Sequence, residues 1–157
     1  MIRFIALLIV MAGALWPAVA STAGLSDATV IFEAGDWSVR KSKDTMTDKV
    51  SCTGLYRQRF DIQVNTGAFY VALRGRGGVR GYQYRLDEAP ATRLRSATRD
   101  EQRLGAWSIT GSAFRELLSA KRLRTQTITL RDTTVEDDIS LEGISEIYTV
   151  INGPECQ

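Results

Sequence analysis

The chain has 157 residues, 44% of them hydrophobic and 24% charged, with 13 Gly, 3 Pro, 2 Cys and no His. That composition suits one globular domain, is too apolar for disorder and leaves too little chain for two independent cores. Without His there is no Ser-His or Cys-His nucleophile pair, no imidazole base and no His-ligated metal, and a net charge of +2 singles out no polyanionic partner.

Arg3 precedes an uncharged run from Phe4 to Leu15, then Trp16, Pro17 and the small-residue site Ala18-Val19-Ala20. A membrane-spanning helix needs about 20 apolar residues. This run is shorter and is stopped by Pro17, so residues 1–20 read as a cleaved signal peptide, with Ala23 as the alternative cleavage point. No Cys stands near the site to carry a lipid anchor. The mature chain is expected in the periplasm or outside the cell, with no transmembrane anchor. Export leaves Cys52 and Cys156 as an even pair in an oxidising compartment. We read one disulfide closing a loop of about a hundred residues, worth up to about 4.7 kcal/mol. The competing reading is one buried thiol and one exposed thiol in the tail. The spacing excludes a CxxC redox motif.

Residues 21–34 read as an N-terminal arm with an apolar patch at Val30, Ile31 and Phe32, and residues 35–157 as one β-rich domain. Trp37 to Lys41 has the texture of a strand. Phe60-Asp61-Ile62-Gln63-Val64 alternates as a half-buried strand does. Asn65-Thr66-Gly67 is a turn, followed by the apolar strand Ala68 to Arg74. Arg76-Gly77-Gly78 is a second turn, after which Tyr82, Tyr84 and Leu86 share a strand face. These segments read as a meander of hairpins. Leu104 to Ile109 and Leu123 to Leu130 are further strand candidates, the latter rich in β-branched residues. Gly111 to Ala120 carries Ala113, Phe114, Leu117 and Leu118 at helical spacing, with Ser112 as N-cap. Ile144, Ile147, Tyr148 and Ile151 favour a short C-terminal helix over a strand. The expectation is a mainly β, antiparallel, sandwich-like single domain with one or two short helices, closed by one disulfide.

Charge is unevenly distributed. Residues 74–131 hold thirteen Lys/Arg against five Asp/Glu, a local +8, and residues 132–157 hold seven acids and no Lys or Arg. If the fold keeps these blocks apart, the basic face would attract an anionic envelope surface; we expect them to pair within the chain instead. Arg74, Arg76 and Arg80 form the candidate basic surface. They stand around Gly75-Arg76-Gly77-Gly78-Val79-Arg80-Gly81, which resembles a phosphate loop but has Arg80 in place of the last Gly and no helix after it. It reads as a glycine-rich hairpin loop with solvated arginines, and nothing identifies a nucleic-acid partner. Ser38-Val39-Arg40-Lys41 matches S-x-x-K, but on a strand those side chains face opposite sides. Glu136-Asp137-Asp138 lacks the ligand spacing of a calcium loop and reads as a solvated acidic turn. No metal or cofactor is expected.

The polar segment Asp44-Thr45-Met46-Thr47-Asp48 is more distinctive, either as a self-capping turn or as a contact surface. Together with Arg85 and Asp87 on Tyr84-Arg85-Leu86-Asp87, its residues Asp44, Thr47 and Asp48 form the candidate structural or partner-binding cluster. In combination, Gly35-Asp36-Trp37, Asp44-Met46-Thr47-Asp48, Cys52, Tyr84-Arg85-Asp87, Phe114-Leu117-Leu118, Leu141-Gly143-Ile144 and Cys156 resemble the small exported bacterial proteins that include the type VI secretion accessory protein TagO (VasI). The likeness extends more distantly to invasion-associated locus B proteins. It covers residues 35–157, with Thr45 standing where the pattern has Pro. The resemblance implies a periplasmic or secreted β-sandwich-like domain with no established catalytic residues. The expected function is a non-enzymatic accessory module that binds another envelope or secretion-system protein, structural support being the first role of the cluster. The alternatives are an inhibitor or immunity protein of an envelope enzyme, and an envelope hydrolase working through two carboxylates.

Overall fold

The computed structural model describes residues 28–73 and 75–157; the signal-peptide reading and Arg74 fall outside them. Ten strands and three α-helices follow in the order β1 (Thr29–Ala34), β2 (Trp37–Lys43), β3 (Val50–Tyr56), β4 (Arg59–Val64), β5 (Ala68–Ala72), β6 (Gly81–Leu86), β7 (Arg95–Ser96), α1 (Arg99–Leu104), β8 (Ala106–Thr110), α2 (Gly111–Ser119), β9 (Arg122–Ile128), β10 (Thr134–Ser140) and α3 (Ile144–Ile151). A short 3-10 turn, Pro154–Cys156, closes the chain. Two antiparallel sheets result, β1-β2-β3-β4-β5-β8 and β10-β9-β6-β7. β1 to β5 form an antiparallel meander; of the meander expected over Phe60 to Leu86 only the β4–β5 hairpin is present, because β6 joins the other sheet.

Period-two alternation decides what each strand buries. Val39, Ile62, Val64, Phe69, Val71, Trp107 and Ile109 turn inward from the six-stranded sheet, and Tyr82, Leu123, Thr127 and Ile139 from the four-stranded one. Trp107 links the two. Its ring stacks on Tyr82 at 4.5 Å between centroids, and its indole N–H donates to the Thr127 hydroxyl at 3.0 Å. The part of the large sheet not faced by the small one is covered by α3, which lays Ile144, Ile147 and Ile151 over β1, β2 and β3. Gly54 of β3 leaves room for this, since a Cβ there would stand 2.6 Å from an Ile147 methyl.

The β1–β2 turn docks on the entry to α3. Gly35 (φ +54°) and Gly143 (φ +89°) occupy left-handed backbone, and a Cβ on either would collide with the carbonyl of Glu142 or Ala34 respectively. Only glycine satisfies both the angle and the approach. The Trp37 indole N–H beside this contact donates to the Ser140 carbonyl at 2.9 Å. Cys52 on β3 and Cys156 in the terminal turn form a disulfide across 104 residues, with Cα atoms 5.5 Å apart.

Several expectations need correction. The end of the stretch read as an arm is strand β1, because Val30–Phe32 pairs with β2 and partly buries its apolar patch. A third helix, α1, precedes β8; Thr98 and Glu101 form a capping box at its start and Gly105 ends it in the left-handed conformation. The N-cap of α2 is Thr110, not Ser112, which lies inside the helix. Glu136-Asp137-Asp138 is the centre of β10 rather than a turn, because its flanking Val135 and Ile139 keep the strand alternation. The arginine-glycine segment is not a hairpin loop. It carries the chain from β5 in one sheet to β6 in the other.

Candidate functional site

Lys43 to Val50 forms a turn that ties itself together. The Asp44 carboxylate accepts the N–H groups of Met46 at 2.8 Å and Thr47 at 2.9 Å, and the Asp44 N–H donates to the Lys49 carbonyl at 2.9 Å. Hydrogen bonds from the Met46 and Thr47 amides hold the Asp44 carboxyl below its ordinary value. Asp48 adopts φ 56°, a conformation Asp tolerates better than most residues, and pairs with Lys43 at 2.7 Å. The polar residues of this segment are therefore engaged in shaping the turn. What they present outward is Met46, 90% exposed.

Arg85 and Asp87 lie in the other sheet, and no hydrogen bond or ion pair joins them to Asp44, Thr47 or Asp48 among the described residues. The five residues belong to two local structures rather than one cluster. Asp87, just beyond β6, accepts the N–H groups of Lys121 and Arg122 at 2.9 and 2.8 Å and so pins the end of β6 to the start of β9.

Arg85 stands on the outer face of the small sheet in a cleft of about 340 Å³ that also takes in Gln83, Arg124, Gln126, Glu136 and Asp138. The register explains the grouping: Gln83, Gln126 and Glu136 form one cross-strand row, and Arg85, Arg124 and Asp138 the next. The Gln83 amide donates to Gln126 at 2.7 Å and the Gln126 amide to Glu136 at 3.0 Å. Asp138 receives the Arg122 guanidinium through both of its oxygens and Arg124 at 3.7 Å. The hydrogen bonds from Arg122, then the charges of Arg122, Arg124 and Arg85, hold the Asp138 carboxyl below its ordinary value. Glu136 and Asp138, two residues apart on one strand face, are roughly 7 Å from each other by strand rise, a spacing compatible with hydrolytic carboxylates.

The arginine segment is likewise engaged. Arg76 reaches Asp137 at 3.2 Å and Arg80 pairs with Asp132. Asp137, only 6% exposed, also receives Arg59 from β4, which in turn holds Asp61 at 2.7 Å. Three acids of residues 132–157, Asp132, Asp137 and Asp138, thus pair with the basic block and with Arg59. Arg59, Arg122 and Arg124 were absent from the sequence-derived site because only strand register brings them to Asp137 and Asp138. Among the described residues no group of three His, Cys, Asp or Glu side chains is arranged to hold a metal ion, and no helix is long and apolar enough to cross a membrane.

No family model, curated protein or solved structure matches this chain.

Proposed function

We propose that the chain is an exported, non-enzymatic protein of the periplasm or extracellular space that binds another envelope or secretion-system protein, in the manner of the type VI secretion accessory proteins it resembles. The observation that carries export is the Cys52–Cys156 bridge, since cytosolic thiols are kept reduced and structural disulfides accumulate in oxidising compartments. The signal-like character of residues 1–20 agrees with it. Binding rather than catalysis is supported by the occupation of the polar groups: Asp44, Asp87, Asp137 and Asp138 are all spent on internal bonds. The pairing of Asp132, Asp137 and Asp138 with arginines of the basic block reduces the field that an anionic envelope surface would need, which favours a protein partner. An inhibitor would need a free protruding arginine loop, whereas Arg76 and Arg80 are tied down.

Crosslinking in intact cells, followed by recovery of the tagged chain and mass spectrometry, should return the same envelope protein in replicate, and none when residues 1–20 are deleted. Recovery of cytoplasmic proteins alone would overturn the reading.

A further inference from the structure

Among the described residues the two open sheets leave four edges, and three of them are defended. β1 is irregular between Val30 and Phe32. β10 turns the Asp137 carboxylate inward and sets Glu136 and Asp138 outward, and β7 is two residues long. Bulges, inward charges and short edge strands all discourage the addition of a further strand. β8 has none of these: Ala106-Trp107-Ser108-Ile109-Thr110 pairs with β5 in unbroken register and contains neither charge nor Pro.

The phase of the ladder shows which backbone groups are left over. The Leu73 N–H donates to the Gly105 carbonyl at 2.7 Å, and the Asn65 N–H to the Ala68 carbonyl at 3.0 Å. By antiparallel alternation, Trp107 and Ile109 exchange hydrogen bonds with Val71 and Phe69, and Ser108 turns its N–H and C=O to the open side. Beside Ser108 a cleft of about 210 Å³ opens between the two sheets, walled by Tyr84, Arg93, Arg95 and Ala113. Arg95 lies over the Tyr82 ring at 5.4 Å and reaches Glu101 at 3.6 Å. Arg93 makes no ion pair among the described residues.

We propose, resting on the binding function above, that β8 is a docking edge for an extended acidic segment of a partner protein. The segment adds antiparallel or parallel to β8 through Ser108, fills the cleft over Tyr84 with one side chain and sets its carboxylates against Arg93 and Arg95. Main-chain pairing would supply affinity and the arginine rim selectivity. A second copy of the chain would bring two arginine rims to one seam, which like-charge repulsion disfavours.

The test uses the mature, oxidised, ¹⁵N-labelled chain and two blocked hexapeptides, Thr-Val-Glu-Val-Glu-Thr and the same peptide with Lys for Glu. The glutamate peptide should shift the amides of Ser108, Thr110 and Arg93–Arg95, and the lysine peptide should bind at least about tenfold more weakly. Ser108→Pro should abolish binding while keeping the thermal midpoint, because that N–H is not used in the ladder. The exposed pair Arg93→Glu and Arg95→Glu should reverse the peptide preference, which covers the case in which the proline variant misfolds. The proposal is overturned by no shift at millimolar peptide, by shifts mapping elsewhere, or by equal binding of both peptides. Self-association abolished by Ser108→Pro would also overturn it, making the occupant a second copy. Loss of peptide binding with a periplasmic partner still captured removes this inference alone; peptide binding by a chain that stays cytoplasmic removes the functional reading alone.

Discussion

Asp137 is the residue on which the two sheets are most visibly joined by charge. Its carboxylate, nearly enclosed, meets Arg59 from the large sheet and Arg76 from the crossover. Removing one member of an enclosed pair strands the other, so Asp137→Ala should cost about 3 kcal/mol in urea unfolding. Replacing Asp137 and Arg59 together by Leu and Met should recover much of that loss; no recovery would mean that the cost lies elsewhere in β10. Glu101 makes a second case. Burial alone would raise its carboxyl, but the Thr98 amide, the Tyr82 hydroxyl, the Thr98 hydroxyl and Arg95 outweigh burial and hold it below the ordinary value. A depressed carboxyl contributes stability that is complete above its unfolded value of 4.5 and fades as pH falls through the lower folded value. Glu101→Gln should therefore lose stability at neutral pH and show a shallower acid decline than wild type. Unfolding curves between pH 6 and pH 3 check this, and an unchanged profile would contradict it.

At the scale of elements, periodicity was a good guide wherever one face is apolar. The spacing of Phe114 and Leu117, and of Ile144, Ile147 and Ile151, gave α2 and α3 because those residues are the ones buried. Helix α1 buries none of its residues, so its signals were confined to its ends, the capping box Thr98-x-x-Glu101 and the terminating Gly105. β10 was hidden for a different reason. Its inward face reads Val135, Asp137, Ile139, and the charge in the middle makes sense only once Arg59 and Arg76 are known to face it. The glycines of Gly35-Asp36-Trp37 and Leu141-Glu142-Gly143 acquire a shared role, since each lies against the other's neighbouring carbonyl. Gly143→Ala should destabilise the fold by about 2 kcal/mol through overpacking and the positive φ, measured by thermal or urea unfolding. Stability equal to wild type would show that this contact yields easily.

At the scale of the whole molecule, strand texture and an even cysteine pair were enough to indicate a disulfide-closed β domain. Which strands share a sheet was not legible, because pairing β5 with β8 and β6 with β9 depends on long-range register that no local pattern encodes. For the same reason the expectation that the charge blocks pair named no partners; register supplies them, bringing Arg76 to Asp137 and Arg122 to Asp138. The bridge ties the terminal turn to β3 across almost the entire domain. Replacing Cys52 and Cys156 by Ala should cost at most about 4.7 kcal/mol, the loop-entropy limit for a closure of this length, with the native fold retained in the absence of urea; a larger loss would show that the cysteines pack as well as link. Export remains the claim on which the functional reading stands. Its most direct measurement is the intact mass of the chain recovered from the periplasm and alkylated with and without prior reduction. The expected species is 137 residues long and lacks residues 1–20, or is three residues shorter if cleavage follows Ala23, with both thiols alkylated only after reduction. A full-length 157-residue chain in the cytoplasm, or a Cys52 thiol alkylated in the native protein, would contradict it.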